Sequence, residues 1–289
     1  MKTKNPQPEL ALDITQYENF IVRKPFLKWA GNKNRVKHHI VPRLPKGRRL
    51  VEPFAGSCAI SLAADFDNYL IADTNGDLID MYRFIKIDAD AIIKEAEALF
   101  IPTNNDAEMF YKLRLEFNEA STSIRKSALF IYLNRHCFNG LCRYNASGGF
   151  NVPFGKYSGP NCPSEDILRF AQFAKRCEFR HQSFQDTFGM TELGDVIYCD
   201  PPYIPLSATS NFTSYSKESF GPDLQILLAD MAAEAAQNGM PTLVSNHNTP
   251  FAEEIYSAAH IEKFEVQRLI SSKAATRGTA PELLAIYGA

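Results

Sequence analysis

Asp195-Val196-Ile197-Tyr198-Cys199 runs without a break into Asp200-Pro201-Pro202-Tyr203. The first five residues read as a buried β-strand. The prolines end it, because proline has no backbone N–H and cannot continue a central strand. Outward from this point, helices and strands alternate. Upstream, Arg48-Arg49-Leu50-Val51 opens a short strand that ends in the turn Pro53-Phe54-Ala55-Gly56. The small, apolar run from Ser57 to Ala64 predicts a helix. Tyr69-Leu70-Ile71-Ala72 is a second strand, ending at Asp73 before a helix from about Gly76 to Lys86. Glu178 to Gln182 is the next candidate strand. Downstream, Leu224 to Asn238 reads as a helix, Pro241 to Ser245 as a strand and Phe251 to Ala259 as a helix. Glu262 to Leu269 and Glu282 to Tyr287 read as strands. This alternation predicts an α/β sheet, mostly parallel.

The gap between Asp73 and Glu178 is far longer than a crossover needs. The excess is expected to form its own lobe, with helical patterns at 89–99, 106–120 and 123–137. From Phe138 to Pro160 the chain is rich in Gly, Asn, Ser and Pro and has no clear period. A polar loop of this length is usually functional. The expected division is a sheet domain from 1–87 and 161–289, with 88–160 inserted.

The 289 residues are 45% hydrophobic and 22% charged, with a formal net charge of −2. That is too apolar and too neutral for a disordered chain. No apolar run approaches the ~20 residues of a membrane span; the longest near 130 is Ala128 to Leu133. The start, MKTKNPQPELALD, lacks the apolar core of a signal peptide, so a cytoplasmic location is expected. The six cysteines (58, 137, 142, 162, 177 and 199) read as reduced thiols. Cys137 and Cys142 have no second Cys or His pair at zinc-finger spacing, and no metal is expected.

Charge is spread unevenly. Arg23 to Arg49 holds ten Lys or Arg and no acid, leaving −12 for the rest of the chain. A second acid-free stretch, Ile124 to Ser164, carries Arg125, Lys126, Arg135, Arg143 and Lys156. A third holds Arg268, Lys273 and Arg277. Basic surfaces on a slightly acidic protein suit a polyanion, although solvated surface residues account for charge alone equally well.

Three segments can carry chemistry, and each has a plainer reading. In Asp200-Pro201-Pro202-Tyr203, a carboxylate, a fixed backbone carbonyl and an aromatic face meet at a strand's carboxyl end, where open α/β sheets bind ligands. This suits a planar ring with an NH2 group, and it equally describes a proline turn with an N-cap aspartate. Pro53-Phe54-Ala55-Gly56-Ser57 is a strand-to-helix turn with one glycine where a backbone must come close to something. It matches neither the dinucleotide fingerprint nor a P-loop. Asp73, at the end of the next strand, either takes ribose hydroxyls or caps a helix. Lys28-Trp29-Ala30-Gly31-Asn32-Lys33 holds the only tryptophan, which composition alone would place in the core.

Taken together, these segments make the chain resemble the Dam-type (D12 class) DNA adenine methyltransferases, from about Phe26 to Tyr287. The likeness rests on Phe26-Leu27-Lys28-Trp29-Ala30-Gly31, Val51-Glu52-Pro53-Phe54, Ala72-Asp73, Tyr132-Leu133-Asn134-Arg135 and Asn139-Gly140-Leu141-Cys142-Arg143-Tyr144-Asn145. It continues through Phe150-Asn151-Val152-Pro153-Phe154-Gly155, Asp200-Pro201-Pro202-Tyr203, Pro205-Leu206-Ser207-Ala208-Thr209 and Glu282-Leu283-Leu284-Ala285.

The resemblance implies a Rossmann-like methyltransferase sheet, mostly parallel with an antiparallel C-terminal strand, and an inserted helical DNA-recognition lobe. It implies methyl transfer from S-adenosylmethionine to adenine N6 in double-stranded DNA, without metal, on a base flipped from the duplex. No obligate protein partner and no membrane are implied. Trp29, Lys33, Phe54, Gly56, Asp73, Ser183, Phe184 and Asp200 would line the cofactor pocket. Asp200 and the Pro201 carbonyl would accept from the N6 amine within the Asp200–Tyr203 motif, with Pro202 stiffening the turn and Tyr203 stacked on the base. Lys28, Phe138, Asn139, Leu141, Arg143, Pro153 and Lys156 would meet DNA, with GATC as the implied site. Arg143 can be bidentate to guanine, and Leu141 and Pro153 can meet a thymine methyl. Cys58 and Asn32 stand where glycines are frequent in the family, and Phe138 where a tyrosine is frequent. Two other readings compete. An RNA-modifying relative is opposed by the groove-reading loop, since A-form major grooves exclude side chains. A catalytically silent DNA binder is opposed by the intact Asp73 and Asp200 motifs.

Overall fold

A computed structural model describes residues 24–205, 220–267 and 279–288. Arg23, Arg268, Lys273, Arg277 and the motif stretch 206–209 lie outside the described residues. The strands are β1 (Arg49–Glu52), β2 (Asn68–Asp73), β3 (Cys177–His181), β4 (Asp195–Cys199), β5 (Thr242–His247), β6 (His260–Gln267) and β7 (Thr279–Tyr287). The helices are α1 (Lys37–Ile40), α2 (Gly76–Ile87), α3 (Ala89–Glu97), α4 (Ala107–Glu119), α5 (Ile124–His136), α6 (Ser164–Ala174), α7 (Phe184–Phe188), α8 (Pro222–Gln237) and α9 (Pro250–Ile255).

One sheet orders the strands β3-β2-β1-β4-β5-β7-β6. The first five are parallel, and β7 runs antiparallel to both neighbours. This is the mixed α/β architecture expected from the alternation of elements. Successive side chains in a strand point to opposite faces, and the two cores follow that rule. Leu50, Tyr69, Ile71, Val196 and Tyr198 lie in the cluster with α2, α5 and α6. Val51, Leu70, Ile197 and Cys199 lie in the cluster with α8 and α9. All five β4 residues are buried, as befits a parallel strand covered on both faces. Strand order reverses between β1 and β4, and the carboxyl ends of the strands at such a switch point are where open α/β sheets bind ligands.

The inserted helices match the periodicity. α5 is buried almost all round, from Ser127 to Leu133, and so acts as a core helix. The expected lobe shares its core with the sheet: Ile92, Phe110, Phe117 and Leu129 belong to the same buried cluster as Leu50 and Ile71.

The helix expected over Ser57 to Ala64 does not form; the segment is a chain of turns. Gly56 (φ 45°) and Cys58 (φ 58°) are left-handed, which a right-handed helix excludes. In addition, the Ser61 N–H donates to the Glu52 carboxylate at 2.6 Å and not to a helix carbonyl. The stretch after Phe138 is more ordered than its composition suggests. Tyr144 and Phe150 form an antiparallel bridge, as do Cys137 and Phe154. Asn118 on α4 clamps Phe150 through both its N–H and its C=O.

Candidate active site

Asp200 follows directly on the carboxyl end of β4. Lys33, only 6% exposed, holds its ammonium 2.8 Å from Asp200 Oδ1 and 4.3 Å from the centre of the Tyr203 ring. The cluster is therefore not made of acceptors alone, as its sequence suggested. Ser245 Oγ donates to the same Asp200 oxygen at 3.1 Å. Tyr203 donates its hydroxyl to Glu282 at 3.1 Å and lies edge-on to His247. Burial beside Asp200 and Glu282 pushes the Tyr203 phenol well above its ordinary range, so it stays neutral. Gln225 donates to the Pro202 carbonyl at 2.8 Å.

One strand over, the turn after β1 meets Asp73 at the end of β2. Asp73 does not cap α2. That cap is Asn75, which accepts from the Leu78 N–H. The Asp73 oxygens instead accept from the N–H groups of Gly56 and Asn75, each at 2.9 Å. Gly56 is required here twice over. Its φ is positive, and a Cβ would lie 2.7 Å from Trp29 Nε1. Trp29 is thus a half-buried wall of this turn and not a fully buried core residue. Phe54 stacks on Phe184 at 5.4 Å between centroids, and Phe220 closes against both. The Ser183 side chain caps α7, accepting from the Asp186 N–H and donating to the Asp186 carboxylate. Behind the turn, Glu52 is 2% exposed. Burial pushes its carboxyl up to about 8, with two bonds from Ser61 opposing.

The third group of residues gathers around Lys28. The Asn134 carboxamide grips the Lys28 backbone at both ends, accepting from its N–H at 2.9 Å and donating to its C=O at 2.7 Å. Gly140 (φ 62°) lies so close that a Cβ there would fall 2.3 Å from Lys28 Cβ. The Lys28 ammonium sits 4.0 Å over the Tyr157 ring. Phe138, Asn139, Pro153 and Lys156 are exposed nearby in the chain, and Phe138 is 49% exposed although apolar. Arg143 donates through Nε to Asn151 Oδ1 at 2.7 Å and through Nη2 to the Asn151 carbonyl at 3.3 Å, which fixes the plane of its guanidinium.

A family model described as D12 class N6 adenine-specific DNA methyltransferase matches residues 29–270. The chain is 44% identical over 264 residues to the DNA adenine methylase of Salmonella typhi, covering 91% of this chain and 95% of that protein. The same figures hold for the DNA adenine methylase of Escherichia coli strain K12. The DNA adenine methylase of Vibrio cholerae is 44% identical over 266 residues, covering 92% and 96%. The chain belongs to the D12 class of N6 adenine-specific DNA methyltransferases.

A D12 methyltransferase methylates adenine N6 in DNA, and the family implies S-adenosylmethionine as methyl donor. The residues present fit such a cofactor. Asp73 keeps acceptor capacity at the end of β2, since each oxygen has two lone pairs. The Ser57 hydroxyl, buried in the same turn, has no hydrogen-bond partner among the described residues. Phe54, Phe184 and Trp29 supply apolar faces. Among the described residues, no helix is long and apolar enough to cross a membrane.

Several residues packed around Asp200 and Phe54 escaped the sequence reading. Phe220 completes the aromatic wall just before α8, and its only signal was an aromatic near a helix start. Ser245 and Asn246 are polar residues inside an apolar strand, and Gln225 is a polar residue on the buried face of α8. Each reads as an interruption of a pattern until the fold shows what it touches.

Proposed function

We propose that the chain methylates N6 of an adenine extruded from duplex DNA at GATC, acting in the cytoplasm on the nucleoid. The methyl group comes from S-adenosylmethionine, whose sulfonium supplies an electrophilic carbon and leaves as the neutral thioether. Asp73 would take the ribose hydroxyls, Phe54 and Phe184 the adenine ring, with Ser183 holding α7 in place beneath them. Trp29 and Gly56 would shape the turn, and Lys33 would hold Asp200. Asp200 and the Pro201 carbonyl would accept the two N–H bonds of the target amine. This keeps the nitrogen lone pair out of the ring and aims it at the methyl carbon; as the N–C bond forms and the C–S bond breaks, the nitrogen would give up one proton, through Asp200 to solvent. Tyr203 would stack on the extruded base. Positioning and electrostatics carry such a transfer.

Segment 88–160 would recognise the target, together with Lys28. Arg143 suits guanine O6 and N7, Leu141 and Pro153 suit a thymine methyl, and Lys28 suits the outer guanine. Phe138 would fill space vacated by the flipped base, with Asn139 and Lys156 on the backbone. The observation that carries this reading is the meeting, at the ends of adjacent strands β2, β1 and β4, of an Asp73 held by backbone N–H groups and an Asp200 held by Lys33. The test is transfer of labelled methyl from S-adenosylmethionine to duplexes with and without GATC, and to RNA of the same sequence. Label confined to GATC duplexes is expected. Equal labelling of a duplex lacking GATC, or labelling of RNA, would overturn the specificity proposed.

A further inference from the structure

We infer that Ser245 and Gln225, joined through Asn246, are positioning residues for methyl transfer: they grip the Asp200–Ile204 turn from both sides of β5 and leave one Asp200 oxygen and the Pro201 carbonyl to the amine. The inference rests on reading Asp200 as the acceptor of that amine.

Ser245 and Asn246 are consecutive on β5, and neither has any exposed surface. Consecutive strand residues point to opposite faces, so their contacts differ. Ser245 Oγ lies 3.1 Å from Asp200 Oδ1 and 2.9 Å from the Tyr198 hydroxyl. A serine has one proton to give. Given to Asp200, it leaves Ser245 to accept from Tyr198. The chain then runs Tyr198 to Ser245 to Asp200 and ends on a charged acceptor, the stronger arrangement. The Lys33 ammonium meets the same Oδ1 at 2.8 Å. Two donors therefore converge on Oδ1, and among the described residues none reaches Oδ2.

On the other side, Asn246 Oδ1 accepts from the N–H groups of Ile204 at 3.0 Å and His247 at 2.9 Å. Two N–H donors at one atom fix which way the amide points. Its Nδ2 must then face Gln225 Oε1, at 3.0 Å, and the Tyr256 hydroxyl, at 3.2 Å. With its oxygen so engaged, Gln225 can only turn its Nε2 outward, and it donates to the Pro202 carbonyl at 2.8 Å. The turn carries consecutive carbonyls and two prolines without N–H groups. Tying back the Pro202 carbonyl distinguishes it from that of Pro201, which no hydrogen bond reaches among the described residues. The two clamps thus choose the acceptor pair.

The test uses Ser245→Ala, Ser245→Thr, Gln225→Met and, as reference, Asp200→Ala, in the full chain. Transfer rates are measured at saturating cofactor and DNA, per molecule competent to bind S-adenosylhomocysteine, with melting temperatures alongside. Ser245→Ala and Gln225→Met should each lower kcat about tenfold or more, within the range by which ~1 Å misplacement slows an oriented reaction. KM for both substrates should stay within twofold (~0.4 kcal/mol), and Ser245→Thr should recover most of the rate. Wild-type kcat per competent molecule in both variants, or a loss seen only as raised KM or lost folding, would overturn the inference. If Asp200→Ala itself transfers at the wild-type rate, the acceptor reading fails, and that outcome is distinguishable from the others.

Discussion

Asp200 and Asp73 are both aspartates at the ends of parallel strands, yet their surroundings differ. Asp200 faces an ammonium and a hydroxyl on one oxygen. Asp73 is held by two backbone N–H groups, and burial still pushes its carboxyl up. Asp200→Ala should lower transfer at least about a hundredfold, the scale of losing one preorganised electrostatic group, while S-adenosylhomocysteine still binds. Asp73→Ala should instead weaken that binding by about 2–3 kcal/mol, as for hydrogen bonds to a charged group. Calorimetry and saturating-rate assays on both variants check the contrast; a common loss of rate with unchanged binding would refute it. Glu52 adds a pH signature. Its carboxyl is raised from 4.5 to about 8 by burial, so the folded state binds a proton more tightly than the unfolded chain. The stability this contributes is fully present below about pH 4.5 and is lost as pH rises toward 8; Asp73 acts in the same direction. Relative to Glu52→Gln, the wild-type melting temperature should fall between pH 5 and 8. A parallel or rising difference would contradict the assignment.

Among the elements, what the sequence disclosed followed the strength of the local signal. β4 was legible because two prolines end it abruptly, and α4 and α5 were legible from their apolar period. The stretch from Ser57 to Ala64 was not. Its composition suits a helix, but its path is set by a left-handed Gly56 and Cys58 and by a glutamate nine residues before Ser61 that captures a backbone N–H. The hairpin-like pairing of Tyr144 with Phe150 was equally hidden, because its clamp, Asn118, comes from another helix. Within the candidate site, Asp200 and Asp73 stood out from motifs and Lys33 only from the family resemblance, and the fold brings Lys33 against Asp200. Ser245, Gln225 and Asn246 did not stand out, since a buried amide declares its partners only in three dimensions. The Gly56 turn offers a direct check on an element. Gly56→Ala would place a methyl 2.7 Å from Trp29 Nε1 at a positive φ, so Trp29 must move. Overpacking of this kind costs about 1–3 kcal/mol. Trp29 is the only tryptophan, so its emission reports this turn alone. The variant should show a shifted emission maximum, a lower melting temperature and weaker S-adenosylhomocysteine binding. An unchanged spectrum would mean that the contact is slack.

For the whole molecule, the question is how a DNA methyltransferase of net charge −2 holds a polyanion. Ten basic residues from Arg23 to Arg49 and the acid-free stretch from Ile124 to Ser164 concentrate positive charge on segments that the fold joins through Lys28, Asn134 and Gly140. Affinity from such charge does not depend on base sequence and falls steeply with salt. Discrimination needs a side chain fixed in direction, and Arg143 has that property because Asn151 holds its guanidinium through two bonds. No base but guanine offers two acceptors to such a fork in the major groove, so losing it should cost about 1–3 kcal/mol of discrimination at one base pair. Lys156 is exposed on the same loop and serves as the contrast. Lys156→Ala should weaken all duplexes alike and lower the salt dependence. GATC has a G·C pair at each end, one assigned to Lys28 and the other to Arg143; Arg143→Ala should slow methylation of GATC while leaving duplexes altered at the pair assigned to Arg143 nearly as they were, so that the preference relaxes at that position. Rates on GATC and on each single-base variant, at two salt concentrations, separate the two. A uniform fall across every duplex in Arg143→Ala, with a reduced salt slope, would make Arg143 a phosphate clamp and move base reading to another residue of the loop.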